Sequence, residues 1–262
     1  MNSETFGGSM YDIEMQETTP EFAKCWKAAG SHIQHQAQDG LYSWLRAHLS
    51  PPFLEHLSFR LGNQLFFIRI EDVDDHLQVP GSVHGLLTIA DGCKGHACLM
   101  PMEKNFLGDG WVPNSQGWGL LDARTNMPIN PLTLVTAEKI EMTAWELHDF
   151  AVQVVKGQLE KEGYELMSSQ GNPGVDPAIW FVGDSKGPEW IVVRAERYPQ
   201  QDAKRPKNWD SIAKGCTKLS NIGHFASVAF ASVDQTFDTA SDNPVPLWRG
   251  HGVHVNYRGL VS

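Results

Sequence analysis

Two stretches of this chain share one design, and between them they set its architecture. Asn63-Gln64-Leu65-Phe66-Phe67-Ile68-Arg69-Ile70-Glu71 and Pro188-Glu189-Trp190-Ile191-Val192-Val193-Arg194-Ala195-Glu196 each pass from a turn residue through an apolar run to Arg, one further apolar residue and Glu. An apolar run this short, rich in β-branched and aromatic residues, reads as a central β-strand. The two lie 125 positions apart, 194 minus 69. Ile89-Ala90-Asp91-Gly92-Cys93 then finds its echo in Ile212-Ala213-Lys214-Gly215-Cys216, and Gly95-His96 in Gly223-His224, at offsets of 123 and 128. Three matches in one order at nearly one offset predict an internal repeat. The expected fold class is α/β (α+β). It is built as two similar helix–hairpin–strand–helix–strand units, residues 20–140 and 141–262, related by a pseudo-two-fold axis as in a homodimer.

Local signals place the elements. Residues 1–19, with Gly7-Gly8-Ser9, read as a flexible leader. Pro20 to Ala29 predicts a short helix ended by Gly30. Ser31 to Leu49 predicts a second, interrupted at Gly40, with Leu41, Trp44, Leu45 and Leu49 on one face, and Pro51-Pro52 stops it. Leu57–Arg60 and Leu65–Glu71 form a hairpin around Gly62-Asn63. Pro80 opens a helix that Gly92 ends. His96–Met102 is a strand, and Gly108 to Pro131 reads as loops around one strand at Trp118–Ala123. Thr143 with Glu146 matches a capping box, and Gly163 is a C-terminal stop. Between them Leu147, Phe150, Ala151, Val154, Val155 and Leu159 make the apolar face. Strands follow at Tyr164–Met167, Ala178–Val182 and Trp190–Glu196, then a helix at Trp209–Cys216. Phe225–Val233 is a strand, Asp234–Pro246 a loop, and Val253–Tyr257 the last strand.

Charge and cysteine usage narrow the function. Lys and Arg number 21 against 31 Asp and Glu, a formal charge of −10, which opposes non-specific contact with phosphate backbones. No apolar run approaches the ~20 residues of a membrane span, and Met1 to Thr19 has neither the basic start nor the apolar core of a signal peptide. Four cysteines in 262 residues make no disulfide framework. A cytoplasmic protein without a cofactor is expected, as a monomer with internal pseudo-symmetry or a dimer.

The second half resembles the core of the restriction-endonuclease-like superfamily, the PD-(D/E)xK nucleases. The resemblance rests on the order of elements: a helix, a short strand ending in Tyr164-Glu165-Leu166-Met167, then Gly174-Val175-Asp176 entering a strand. The strand Ile191-Val192-Val193-Arg194, a helix and another strand follow. In that family an Asp, and a Glu-x-Lys on the next strand, hold Mg²⁺ and activate water, because a hard cation needs anionic oxygens. The resemblance puts Asp176 at the position of the Asp, Val192 at that of the Glu and Arg194 at that of the Lys. Val cannot bind a metal, and Arg is a poor proton acceptor. Glu189 and Glu196 are the available substitutes, and four residues of strand rise, roughly 13 Å, separate Glu196 from Val192. In the first half even the Asp is absent from the corresponding position, unless Glu55 serves. The resemblance therefore implies a degenerate, non-catalytic core.

Other residue groups have two readings each. Cys93, His96 and Cys98 form a Cys-x-x-His-x-Cys cluster that suits zinc if Cys216 or His84 supplies a fourth ligand; otherwise they are buried small hydrophobes and a strand histidine. Cys93 with His96, or Cys216 with His224, pairs a nucleophile with a base but lacks a third, orienting residue. His251 and His254 are ligands or plain strand residues. Asp72, Asp74 and Asp75 are a cation site or a solvated strand end. Trp180 and Trp190 belong in the core. Trp111, Trp118 and Trp248 stand in Gly/Pro-rich loops, the last beside Arg249, and read as partner-binding anchors or as covers for the sheet ends.

Three function classes follow. The first is a non-catalytic protein-binding protein, of the inhibitor, immunity or accessory type, whose partner is another protein with a basic surface. The second is a nucleic-acid binder or metal-dependent nuclease of the PD-(D/E)xK type. The third is an enzyme with an unrecognised Cys/His site. The acidic charge favours the first over the second, and the incomplete catalytic sets count against the third.

Overall fold

The computed structural model describes residues 19–37, 42–47, 49, 56–105, 108, 110–237 and 244–261. The fold is mixed α and β, with two sheets and four α-helices among the described residues. The chain divides between Ile140 and Glu141 into two compact units.

The first unit opens with helix α1, Pro20–Ala37. The Thr19 hydroxyl caps it by accepting from the Phe22 amide at 3.1 Å. Phe22, Cys25, Trp26, Ala29, Ile33 and Ala37 recur every three or four residues and are buried along one stripe. Gly30, expected to end this helix, sits inside it. A glycine costs about 1 kcal/mol in a helix interior, less than the apolar stripe on either side of it returns. Trp44 and Leu45, expected on a second helix, lie instead on strand β1, Tyr42–Arg46. Trp44 pairs with Phe59 on β2, Leu57–Leu61, and the two rings meet edge to face. A cross-strand partner, absent from any local pattern, decides the matter. Of the expected leader 1–19 only Thr19, the cap of α1, is described; residues 1–18, Gly40, Leu41, Pro51-Pro52 and Glu55 lie outside the described residues.

From β2 the chain turns through Gly62 (φ +56°) into β3, Gln64–Asp72. Helix α2, Val83–Gly92, is capped by the Ser82 hydroxyl, and it carries the chain to β4, His96–Lys104, which runs parallel to β3. Three short strands follow where one was expected: β5 (Trp111–Pro113), β6 (Leu120–Asp122) and β7 (Pro128–Ile129). The sheet order is β1-β2-β3-β4-β6-β7, with β5 also on β4. Phe66, Ile68 and Ile70 of β3 and Cys98, Met100 and Met102 of β4 share a core with the buried face of α1.

The second unit begins with α3, Ala144–Glu162. Its capping box forms as the sequence predicts, Thr143 Oγ1 accepting from the Glu146 amide at 3.2 Å and Glu146 Oε2 from the Thr143 amide at 2.8 Å. Gly163 ends it in the left-handed conformation, φ +86°. The buried face differs from the expected one. His148 and Val152 point inward, while Phe150 is 36% exposed and stacks on Phe230 at 5.1 Å. Strands β8 (Glu165–Ser169), β9 (Ile179–Val182) and β10 (Pro188–Arg197) form an antiparallel meander. Helix α4, Trp209–Cys216, leads to β11 (Gly223–Ser232), parallel to β10, and β12 (Val253–Val261) closes the sheet antiparallel to β11.

Alternation along β10 sorts its side chains. Ile191 and Val193 join Ala226, Val228 and Phe230 in the core with α3. Trp190 and Val192 join Phe225 and the α4 residues Ile212 and Cys216. Arg194 and Glu196, two and four residues beyond Val192, stand on the α4 side.

Candidate functional site

A polar cluster in the second unit is built on β10, the loop before β9 and α3. Arg194 donates from Nη1 to Asp176 Oδ1 at 2.8 Å and from Nη2 to Oδ2 at 2.5 Å, a bidentate ion pair. The same Nη1 also donates to the Val193 carbonyl at 2.7 Å. The Asp176 side chain is 8% exposed and that of Arg194 25%, so the pair is largely withdrawn from water. His148 on α3 feels both charges. Burial, reinforced by Arg194 and opposed by Asp176, lowers its imidazole to about 4. It is therefore neutral in the fold, and its Nε2 is buried without a hydrogen-bond partner. Val192 is fully buried under α4. Glu196 is half-buried, and burial raises its carboxyl despite the opposing pull of Lys204. It makes no hydrogen bond or ion pair with Asp176 or Arg194. The arrangement places one carboxylate against a guanidinium, and among the described residues no three His, Cys, Asp or Glu side chains converge there to hold a cation.

A second cluster, which sequence reasoning did not assemble, lies at the start of β10 and β11. Glu189 Oε2 accepts from His224 Nε2 at 2.7 Å, and Oε1 accepts from the Ser185 hydroxyl at 2.9 Å and the Ser185 amide at 3.2 Å. Burial pushes the Glu189 carboxyl up, but these hydrogen bonds outweigh it and hold the group below its ordinary value. Ser185 binds the glutamate and not the histidine, so the three do not form a nucleophile–base–acid relay. Gly183 makes the arrangement possible, since a Cβ there would stand 2.0 Å from the Glu189 carboxyl carbon. The first unit holds a neutral counterpart: His96 Nε2 meets Gln64 Oε1 at 3.1 Å. Gln64 and Glu189 are 125 positions apart, the offset of the two Arg-x-Glu strands, so that spacing was the available sequence signal for both pairs.

The remaining candidates separate. Among the described residues no three His, Cys, Asp or Glu side chains are placed to hold a metal ion, those of Cys93, His96 and Cys98 included. Cys98 is wholly buried in the core with α1, and its thiol is pushed up by burial, with Asp122 adding to the effect. His96 stacks on Phe66, and Cys93 ends α2 outside that core. His224 is hydrogen-bonded to Glu189, while burial, then Asp176, raises the Cys216 thiol to about 11. Asp72 accepts from the amides of Asp74, His76 and Leu77, so it caps its own turn.

Two of the three loop tryptophans are corrected in the same way. Trp111 and Trp118 are 5% exposed and belong to the first unit's core. Trp111 Nε1 donates to Glu21 at 3.0 Å, and Trp118 lies parallel to Phe59 at 6.1 Å. Their loops fold back over the α1 side of the sheet, where burying an indole gains more than a solvent-facing position would. Arg249 is also internal: its side chain is 1% exposed and forms a bidentate pair with Glu146 at 2.8 and 2.9 Å. Trp248 is half-buried and its backbone bridges Glu141.

With this geometry established, comparison with known proteins adds one fact. A family model described as a domain of unknown function (DUF8840) matches residues 145–262, the second unit from the first turn of α3 onward. No curated protein and no solved structure gives a significant match. Among the described residues no helix is long and apolar enough to cross a membrane.

Proposed function

We propose that the chain is a non-catalytic protein-binding protein, of the inhibitor, immunity or accessory type, built on two similar, degenerate nuclease-like units. The observation that carries this reading is the Asp176–Arg194 pair. The one carboxylate at the metal-binding position is consumed by a guanidinium, and Val192 fills the place of the second beneath α4. A divalent cation needs two or more anionic oxygens with room for water, and neither remains.

Three features support the duplication. Each unit has a helix, a three-stranded meander, a crossover helix and a strand parallel to the third. The parallel registers agree, with Phe66 opposite His96 in one and Ile191 opposite His224 in the other. Facing agrees too. Phe66, Ile68 and Ile70 turn to the first helix as Ile191 and Val193 do, which puts Arg69 and Arg194 on the opposite side. In the first unit Arg69 donates to the carbonyls of Pro80 and Gly81, so a structural cation stands at this position in both. Cys93 and Cys216 are buried at the ends of the two crossover helices.

Incubated with Mg²⁺ or Mn²⁺, the protein leaves single- and double-stranded DNA and RNA intact, and a partner protein is recovered with it from its host. Metal-dependent cleavage abolished by Asp176→Ala would overturn the reading. The formal charge of −10 favours a basic surface on that partner. Trp248 is the candidate anchor that stays half exposed, and Trp248→Ala should weaken binding by about 2 kcal/mol at a genuine anchor.

A further inference from the structure

One face of the second unit runs against the charge of the whole chain. Between Ala203 and Leu219 the sequence carries Lys204, Arg205, Lys207, Lys214 and Lys218 against a single acid, Asp210, and all five basic side chains are exposed. The segment is the loop before α4, α4 itself and the turn after it. Its inner side is fixed by Ile212 and Cys216, which pack under β10 with Trp190 and Val192. That anchoring turns Lys214 outward, with Lys218 one turn further along. Arg205 lies over the Trp209 ring, 4.2 Å from its centroid, and Trp209 in turn packs on Trp190 at 5.0 Å, so the loop is held against the helix. Lys207, Lys214 and Lys218 make no ion pair among the described residues. Beside them stand two exposed apolar side chains, Leu219 (54%) and Ile222 (42%).

We infer that this face docks an acidic protein segment carrying apolar residues, the cations taking its carboxylates and Leu219 and Ile222 its apolar side chains. Unpaired lysines in a chain of charge −10 give a local field of the opposite sign, which steers and orients an acidic element. A nucleic acid fits less well. An extended phosphate backbone meets the repulsion of the whole chain beyond the patch, and two exposed aliphatic side chains contribute nothing to phosphate contact. The inference rests on the protein-binding reading and adds to it a local acidic segment on a partner whose wider surface is basic, because this one face is opposite in sign to the chain as a whole.

The test is a titration of the ¹⁵N-labelled full chain with a short synthetic peptide of glutamates and two leucines. A glutamate-only peptide, a lysine–leucine peptide and a single-stranded oligonucleotide are titrated in parallel. The glutamate–leucine peptide should shift amides confined to residues 204–222, and salt should weaken it. Lys214→Glu with Lys218→Glu should reduce its affinity at least about tenfold, the equivalent of 1.4 kcal/mol. Leu219→Ser with Ile222→Ser should reduce its affinity to that of the glutamate-only peptide. Circular dichroism confirms that both variants fold, since all four positions are exposed. No shift with the glutamate–leucine peptide, or tighter binding of the oligonucleotide at these residues, overturns the inference. Added Mg²⁺ separates the two failures: cleavage of the oligonucleotide sinks the proposed function, whereas an intact oligonucleotide with a silent peptide sinks the docking face alone.

Discussion

Replacing Arg194 by Met removes the guanidinium but keeps most of the side chain's apolar volume, which isolates the charge. Asp176, 8% exposed, is then left as a buried carboxylate without its partner. Breaking a buried pair on one side costs about 3–5 kcal/mol, and because a quarter of the Arg194 side chain reaches solvent the low end, about 3 kcal/mol, is expected here. Asp176→Asn should cost about 2 kcal/mol, since the guanidinium keeps the Val193 carbonyl and some water. The double variant leaves no buried charge and should cost about 3 kcal/mol in place of the roughly 5 that independent effects would give, a coupling of about 2 kcal/mol. Hydrogen exchange of the β10 amides reports the second unit by itself, beside guanidinium unfolding of the whole chain. If Arg194→Met stays within about 0.5 kcal/mol of the parent, or the two effects simply add, the Asp176–Arg194 ion pair is not an energetically coupled unit.

His148 titrates in an accessible window. An unfolded imidazole protonates near 6.5 whereas the folded one waits until about 4, so stability is complete above pH 6.5 and falls as pH drops through that interval. About 2 kcal/mol should be gone at pH 5 in the second unit, and His148→Phe should flatten that slope in a pH series of denaturation curves. In the first unit His56, lowered to about 3 by burial and then by Arg46, should add a similar acid slope of its own. A Cβ at Gly223 would stand 2.1 Å from the fully buried Trp190 ring, so Gly223→Ala should cost about 3 kcal/mol or more by thermal melting. Glu146→Gln, which leaves Arg249 buried beside a neutral amide, should destabilise by about 3 kcal/mol, against about 1 for Thr143→Ala at the same cap; similar losses would show that the cap and not the ion pair carries Glu146.

Whatever rested on neighbours in sequence was legible. The Thr143–Glu146 box, Gly163, the turn at Gly62-Asn63 and the span of α4 depend on groups within a few residues, and all four stand as the sequence predicts. Asp176 and Arg194 were legible as positions, since strand alternation and the order of elements bring them to one region. Their union as a bidentate pair was not, because it depends on the path of the loop before β9.

The sequence by itself determined the alternation of helices and strands, the two central strands, and a valine rather than a carboxylate at position 192. Those follow from composition at single positions and from local periodicity. Tertiary structure alone decided where ambiguous apolar and aromatic residues go. Gly30 stays helical because the stripe around it is buried, Trp44 becomes a strand residue because Phe59 lies opposite, and Trp111 and Trp118 turn inward to close a core. His148 rather than Phe150 faces the interior of the second unit. In each case two conformations have nearly equal local free energy, and burial against a residue distant in sequence, worth a few kcal/mol, selects between them.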